Sequence, residues 1–101
     1  MLVYNITTKV EKEIEVSWLQ WQKEEHIPEV MASGMFNDFK IYQLISQPED
    51  DGITFIIQYF AETFANYQEY SQNFAPLLIE KAFNKWGDKF LSFKSLLQAV
   101  Q

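Results

Sequence analysis

The chain has no cysteine and no arginine, and only one histidine, three glycines and three prolines in 101 residues. Each shortage excludes something. Without cysteine there is no disulfide framework, no thiol nucleophile and no thiolate metal site. All eight basic residues are lysines, so the guanidinium forks that grip phosphates and carboxylates in a bidentate manner are missing. Against these lysines stand 14 acidic residues, for a formal net charge of −6. That balance argues against nucleic acid and anionic membranes as partners. Gly34, Gly52 and Gly87 are dispersed and form no phosphate-cradling loop. No serine lies in a G-x-S-x-G elbow, and one histidine must serve all of them, so a hydrolase triad has no support. No apolar run approaches a membrane span, and the first ten residues carry no basic leader or long apolar core. A cytoplasmic protein is expected.

Aromatic residues, by contrast, are plentiful. Nine Phe, five Tyr and three Trp make up 17% of the chain, within a hydrophobic content of 48%. A single domain over residues 1–101 buries a smaller share of its surface than a larger body would. A second subunit is the natural cover for the excess, so a homodimer is expected.

The periodicity changes several times along the chain. Residues 2–10 alternate as a strand, with Leu2, Tyr4, Ile6 and Thr8 on one face and Val3, Asn5, Thr7 and Lys9 on the other. Residues 11–32 repeat as a helix, with Val16, Leu19, Ile27 and Val30 near one face and Ile14, Trp18 and Trp21 beside them. Pro28 cannot bond the carbonyl of Glu24 and restrains Ile27, so a kink is expected there. Residues 35–46 and 53–61 form the arms of a hairpin around the turn signal P-E-D-D-G. The second arm is apolar on both faces, as in a strand covered above and below. Residues 62–86 are helical with a break at Pro76, the stripes being Phe64, Tyr67, Tyr70 and Phe74, then Ile79, Phe83 and Trp86. Residues 89–100 return to alternation. The order β-α-β-β-α-β predicts a ferredoxin-like α+β fold with a four-stranded antiparallel sheet and both helices on one face. Two such sheets packed face to face would give a dimeric α+β barrel.

The stretches M-L-V-Y-N-I-T, W-L-Q-W-Q-K-E-E-H-I-P-E-V, I-Q-Y-F-A-E and W-G-D-K-F-L-S-F-K-S-L-L resemble a bacterial family of unknown function. That family is similar to the dimeric α+β barrel superfamily, which includes cofactor-independent monooxygenases of antibiotic biosynthesis, haem-degrading enzymes and stress-induced barrels. The resemblance implies fold and dimerisation and leaves activity open. It also implies a pocket between helices and sheet, where Asn5, Trp18, Trp21, His26 and Tyr59 fall by location. Asn5 matches the first-strand asparagine of the haem-degrading members, but the second helix has no histidine to ligate iron.

Residues 18–30 hold two tryptophans, three glutamates and the only histidine. His26 titrates in the physiological range, and Glu24, Glu25 and Glu29 beside it, with the nearby helix end, are expected to favour its charged form. It is either a proton-moving or ligand-orienting group, or an imidazole satisfied within the structure. Trp18 and Trp21 are either packing aromatics or an aromatic wall for a planar ligand. Lys23 occupies the place where a helical E-x-x-H metal pair would need a carboxylate, so no metal and no cofactor are expected. The leading expectation is a small-molecule-binding barrel for an aromatic or enolisable compound. The alternatives are a cofactor-independent monooxygenase-like or isomerase-like enzyme and an interaction dimer without a pocket.

Overall fold

The computed structural model describes residues 1–46 and 52–101. Most of the predicted P-E-D-D-G turn lies outside the described residues. Four strands, β1 (Leu2–Val10), β2 (Asp38–Gln43), β3 (Ile53–Ala61) and β4 (Phe90–Gln98), form one antiparallel sheet in the order β2-β3-β1-β4. With the helical segments between β1 and β2 and between β3 and β4, this is the ferredoxin-like α+β arrangement expected from the sequence.

Register decides which face each side chain occupies. β1 sets Tyr4 against Tyr59, Ile6 against Ile57 and Val10 against Ile53. Directly paired residues in an antiparallel ladder share a face, and these six face the helices. The opposite face carries Val3, Asn5, Ile56, Gln58 and Phe60, with Leu91, Phe93 and Leu97 from β4. Phe93 is 64% exposed and Leu91 60%, so this second face lacks a cover among the described residues.

The first helical segment opens with a 3-10 turn at Lys12–Ile14, continues as α1 (Glu15–Trp21), widens into a π turn at Gln22–His26 and ends as α2 (Ile27–Ala32). The π turn accounts for a departure from the expected stripe. Ile14, Trp18, Trp21 and Gln22 are buried at α-helical spacing, and the next buried positions are Ile27 and Val30. The five-residue step from Gln22 to Ile27, closed by the bond from the Ile27 N–H to the Gln22 carbonyl, rotates the later residues back onto the sheet. Val16 was expected to share a face with Ile27 and Val30, but it lies before the π turn and is 77% exposed. The irregularity expected at Pro28 is present in this form. The ring sits in the first turn of α2, where a missing N–H is tolerated.

The second helical segment is α3 (Phe64–Asn73), capped by Thr63 Oγ1 accepting from the Asn66 N–H at 3.1 Å, and α4 (Ala75–Trp86), with Pro76 in its first turn. The break restarts the helical phase. Ala75 and Leu78 point inward, while Ile79 and Phe83 of the expected stripe remain exposed. Gly87 ends α4 at φ 62°, a left-handed conformation costly for other residues. β2 is shorter than the expected 35–46, and Phe36 packs before it, stacked on Tyr4 with ring centroids 6.0 Å apart.

Gly52 closes the start of β3 against the end of β1. A Cβ there would stand 2.5 Å from the Val10 carbonyl oxygen, and backbone cannot swing aside. Gly52→Ala is expected to lower the free energy of unfolding by about 1–3 kcal/mol, measured by urea denaturation; unchanged stability would show that the two strand ends separate freely.

Candidate functional site

A cavity of about 1180 Å³ lies between the helices and the sheet. Its floor is the helix-facing row of the central strands, including Tyr4, Ile6, Thr8, Ile57 and Tyr59, together with Ser92 and Lys94 of β4. The Thr8 and Ser92 hydroxyls share a hydrogen bond of 2.8 Å. Trp18, Trp21, Gln22 and His26 enter from the first helical segment, and Leu78, Ala82 and the exposed Ile79 and Phe83 from α4. A smaller recess of about 90 Å³ adjoins the same wall, sharing Tyr4, Tyr70, Ile79 and Lys94 with the main cavity.

The walls are aromatic and interlocked. Trp18 stacks on Phe55 at 5.4 Å, Trp21 meets Trp86 edge-on at 5.8 Å, and the His26 ring lies 4.8 Å from that of Trp21. Tyr59 and Tyr70 approach Phe36 at 5.3 and 4.9 Å. Offset or edge contacts at such separations stabilise the rings beyond the area they bury.

The polar groups around it are unevenly satisfied. Among the described residues, Gln22 Oε1 and Tyr59 Oη are buried without a hydrogen-bond partner, as is Trp86 Nε1 behind Trp21. Such atoms normally find partners. Burial raises the Tyr59 phenol well above its ordinary value, with the neighbouring tyrosines Tyr70 and Tyr4 adding to the shift, and it pushes Tyr70 up to about 12. Both phenols therefore stay protonated as donors at neutral pH.

His26 departs from the sequence expectation. Burial is the largest influence and pushes its pKa down to about 4; Glu29 opposes the shift, while Lys81 and Lys94 reinforce it. The flanking glutamates do not win, because Glu24 and Glu25 point to solvent and Glu29 is engaged by Lys81 at 2.8 Å. The imidazole is neutral at about pH 7 and offers one donor and one acceptor.

Four of the five residues singled out in the sequence, Trp18, Trp21, His26 and Tyr59, line this one cavity. Asn5 does not. It pairs with Gln58 rather than Tyr59, stands on the opposite face of the sheet, and accepts a hydrogen bond from Gln58 Nε2 at 3.1 Å. Gln22, Lys94, Tyr4 and Tyr70 were not singled out. Tyr4 carried a signal, since it shares the β1 alternation with other apolar positions. Gln22 and Lys94 carried none, because polar residues read from sequence default to the surface. Among the described residues no group of three or more His, Asp or Glu side chains converges to hold a metal ion, and no helix is long and apolar enough to cross a membrane.

The ferredoxin-like α+β fold is shared with antibiotic biosynthesis monooxygenase-type proteins. The chain is similar to a candidate antibiotic biosynthesis monooxygenase from Nitrosomonas europaea, with a TM-score of 0.69 and 12% identity over all of both chains. It is also similar to an ethyl tert-butyl ether degradation (EthD) family protein from Bacillus halodurans, at a TM-score of 0.68 and 14% identity over 99% of this chain and 100% of that one. SnoaB, a cofactor-independent oxygenase from Streptomyces nogalater, matches at a TM-score of 0.60 and 12% identity over 99% and 94%. At these identities the likeness concerns the fold. Residues 1–100 match the family described as a domain of unknown function, DUF4286, and the chain belongs to that family. No curated protein sequence matches the chain.

The depressed His26 pKa gives stability a defined pH dependence. The unfolded chain takes up this proton near pH 6.5, and the folded chain only near pH 4. The unfolded state thus binds more protons between those values, and stability contributed by the neutral imidazole is complete above about pH 6.5 and lost as pH falls toward 4. The contribution is on the order of 3 kcal/mol. Urea denaturation of wild type and His26→Gln across this range should show the wild type losing more stability on acidification; parallel profiles would mean that His26 takes up its proton at the same pH in the folded and unfolded chains, and overturn its depressed pKa.

Proposed function

We propose that this protein binds a flat organic molecule in the cavity between helices and sheet, and that a second copy covers the open sheet face. The observation that carries the first part is the cavity itself, about 1180 Å³ and walled in large part by the rings of Tyr4, Trp18, Trp21, His26 and Tyr59. A fold that only packs its aromatic residues has no reason to leave such a space, since interiors are close-packed. Ligand pockets are lined in this way, mostly by apolar and aromatic side chains with a few polar groups. The interaction-module alternative, in which the tryptophans merely pack, leaves the cavity unexplained.

The second part rests on the row Leu91, Phe93 and Leu97, which is exposed beside Val3, Ile56 and Phe60. A contiguous apolar strip on a sheet face is a usual mark of an interface. A self-complementary face closes as a two-fold dimer.

An enzymatic reading is favoured by a specific pair of groups. A neutral His26 can accept a proton, and a protonated Tyr59 can donate to a developing oxyanion. This suits a cofactor-independent oxygenation or isomerisation of an enolisable compound. With its low pKa, His26 would serve only a substrate whose proton is already acidic. Asn5, on the other face, takes no part.

Tyr59→Phe separates function from packing, because it removes one hydroxyl and keeps the ring. It is expected to raise the free energy of unfolding by on the order of 1 kcal/mol, since an unsatisfied group disappears, and to weaken quenching of tryptophan fluorescence by flat two-ring compounds. Loss of stability with unchanged quenching would overturn the pocket reading. Phe93→Asp should convert a dimer into a monomer in sedimentation or native mass spectrometry; a wild-type monomer would remove the second copy from the account.

A further inference from the structure

Tyr4 and Tyr70 stand between the main cavity and the recess beside it, lining both. They come from β1 and α3, and their ring centroids lie 5.9 Å apart. Tyr67, one turn before Tyr70 on α3, joins them in the recess with its ring 5.2 Å from that of Tyr4. Tyr4 and Tyr70 are each 4% exposed, yet neither phenol oxygen makes a hydrogen bond among the described residues. Nor are these oxygens sealed in, as the closed-off unpartnered atoms of the core are, so the surface they keep is turned to the space they line. Burial raises the pKa of both, and each hydroxyl keeps its proton at neutral pH.

What the recess lacks is an acceptor with no proton of its own to place. Three phenols, the Ser71 hydroxyl and the exposed Lys94 ammonium make up its polar side chains, and no carboxylate borders it among the described residues. The carboxylates of the main cavity, Glu11, Glu13 and Asp88, gather with Lys9, Lys12 and Lys89 where β1 ends and β4 begins. Val10, the last residue of β1, is about 20 Å along the strand from Tyr4, and at that end Lys89 already binds Glu13 and Glu11. A carbonyl oxygen has two lone pairs, one for each of the two phenols that line both spaces. It also brings no charge into a cavity where an anion would be costly to desolvate. At about 90 Å³ the recess takes a small group and not a ring, which leaves the body of the ligand to the aromatic walls of the main cavity.

We infer that Tyr4 and Tyr70 donate together to the carbonyl oxygen of a flat, uncharged carbonyl compound seated in the main cavity. The inference rests on the small-molecule reading of that cavity, and adds the functional group of the ligand and the two residues that receive it.

Titration of tryptophan fluorescence with acetylnaphthalene and with isopropenylnaphthalene, in which a methylene group replaces the carbonyl oxygen, tests the assignment. Tyr4→Phe and Tyr70→Phe each keep the ring and remove one donor. Each should weaken binding of the ketone about fivefold, the share of one net hydrogen bond, and leave the hydrocarbon unchanged. The carbonyl stretching band of the bound ketone should shift to higher frequency in both variants, as it does when a hydrogen bond is lost. Tyr42→Phe, at an exposed site outside both spaces, should match the wild type in both readouts. If both compounds bind and neither the affinity nor the band of the ketone changes in Tyr4→Phe and Tyr70→Phe, or if both compounds weaken equally, the role of the phenols is overturned and the pocket stands. Binding of neither compound by the wild type would overturn the pocket reading, and this inference with it.

Discussion

The pairing of β1 with β3 is the constraint on which the rest of this structure depends. Setting Tyr4 against Tyr59 sends one row of each central strand under the helices and the other row to the open face. A slip of one residue would turn one strand over relative to the other. With Tyr4 still facing the helices, Gln58 or Phe60 would take the place of Tyr59 on the cavity floor. The register is held because the helix-facing row is the apolar one, and its burial is the largest favourable term available to a chain this small.

The π turn has a comparable effect on the helical side. The first helical segment must bury Trp18, Trp21 and Gln22 before Pro28, and Ile27 and Val30 around and after it. One uninterrupted α-helix would rotate the second group away from the sheet. Widening a single turn solves the phase problem and accommodates the proline, whose missing N–H would otherwise break the ladder in mid-helix. His26 sits at the end of that turn, against Trp21 and above the cavity. Its burial, and therefore its neutrality, follows from a backbone irregularity.

The cavity is walled by aromatic rings in mutual contact. Gln22 and Tyr59 beside it each bury an oxygen that no group among the described residues satisfies, a cost in stability. The open sheet face has the opposite character, with Asn5 and Gln58 satisfying each other amid an exposed apolar strip. One face of the sheet is covered by helices that leave a cavity, and the other stays open.

Much of the architecture was determined by the sequence itself, because periodicity is a local property. Alternation from Leu2 to Val10 and the two-sided apolar run from Ile53 mark the central strands. Pro76 and Gly87 punctuate the second helical segment, and the order of elements implies the ferredoxin-like arrangement. Trp18, Trp21 and His26, concentrated in the sequence, lie together on one wall of the cavity. Tertiary structure alone decided the rest. Asn5 and Tyr59 are both central and both polar at one end, yet only the pairing register shows that they face opposite ways. The charge state of His26 could not be read from its glutamate neighbours in sequence, because burial and the lysines brought near by folding outweigh them. Gln22 reads from sequence as an ordinary surface residue, and only the packing of the first helical segment against the sheet buries it.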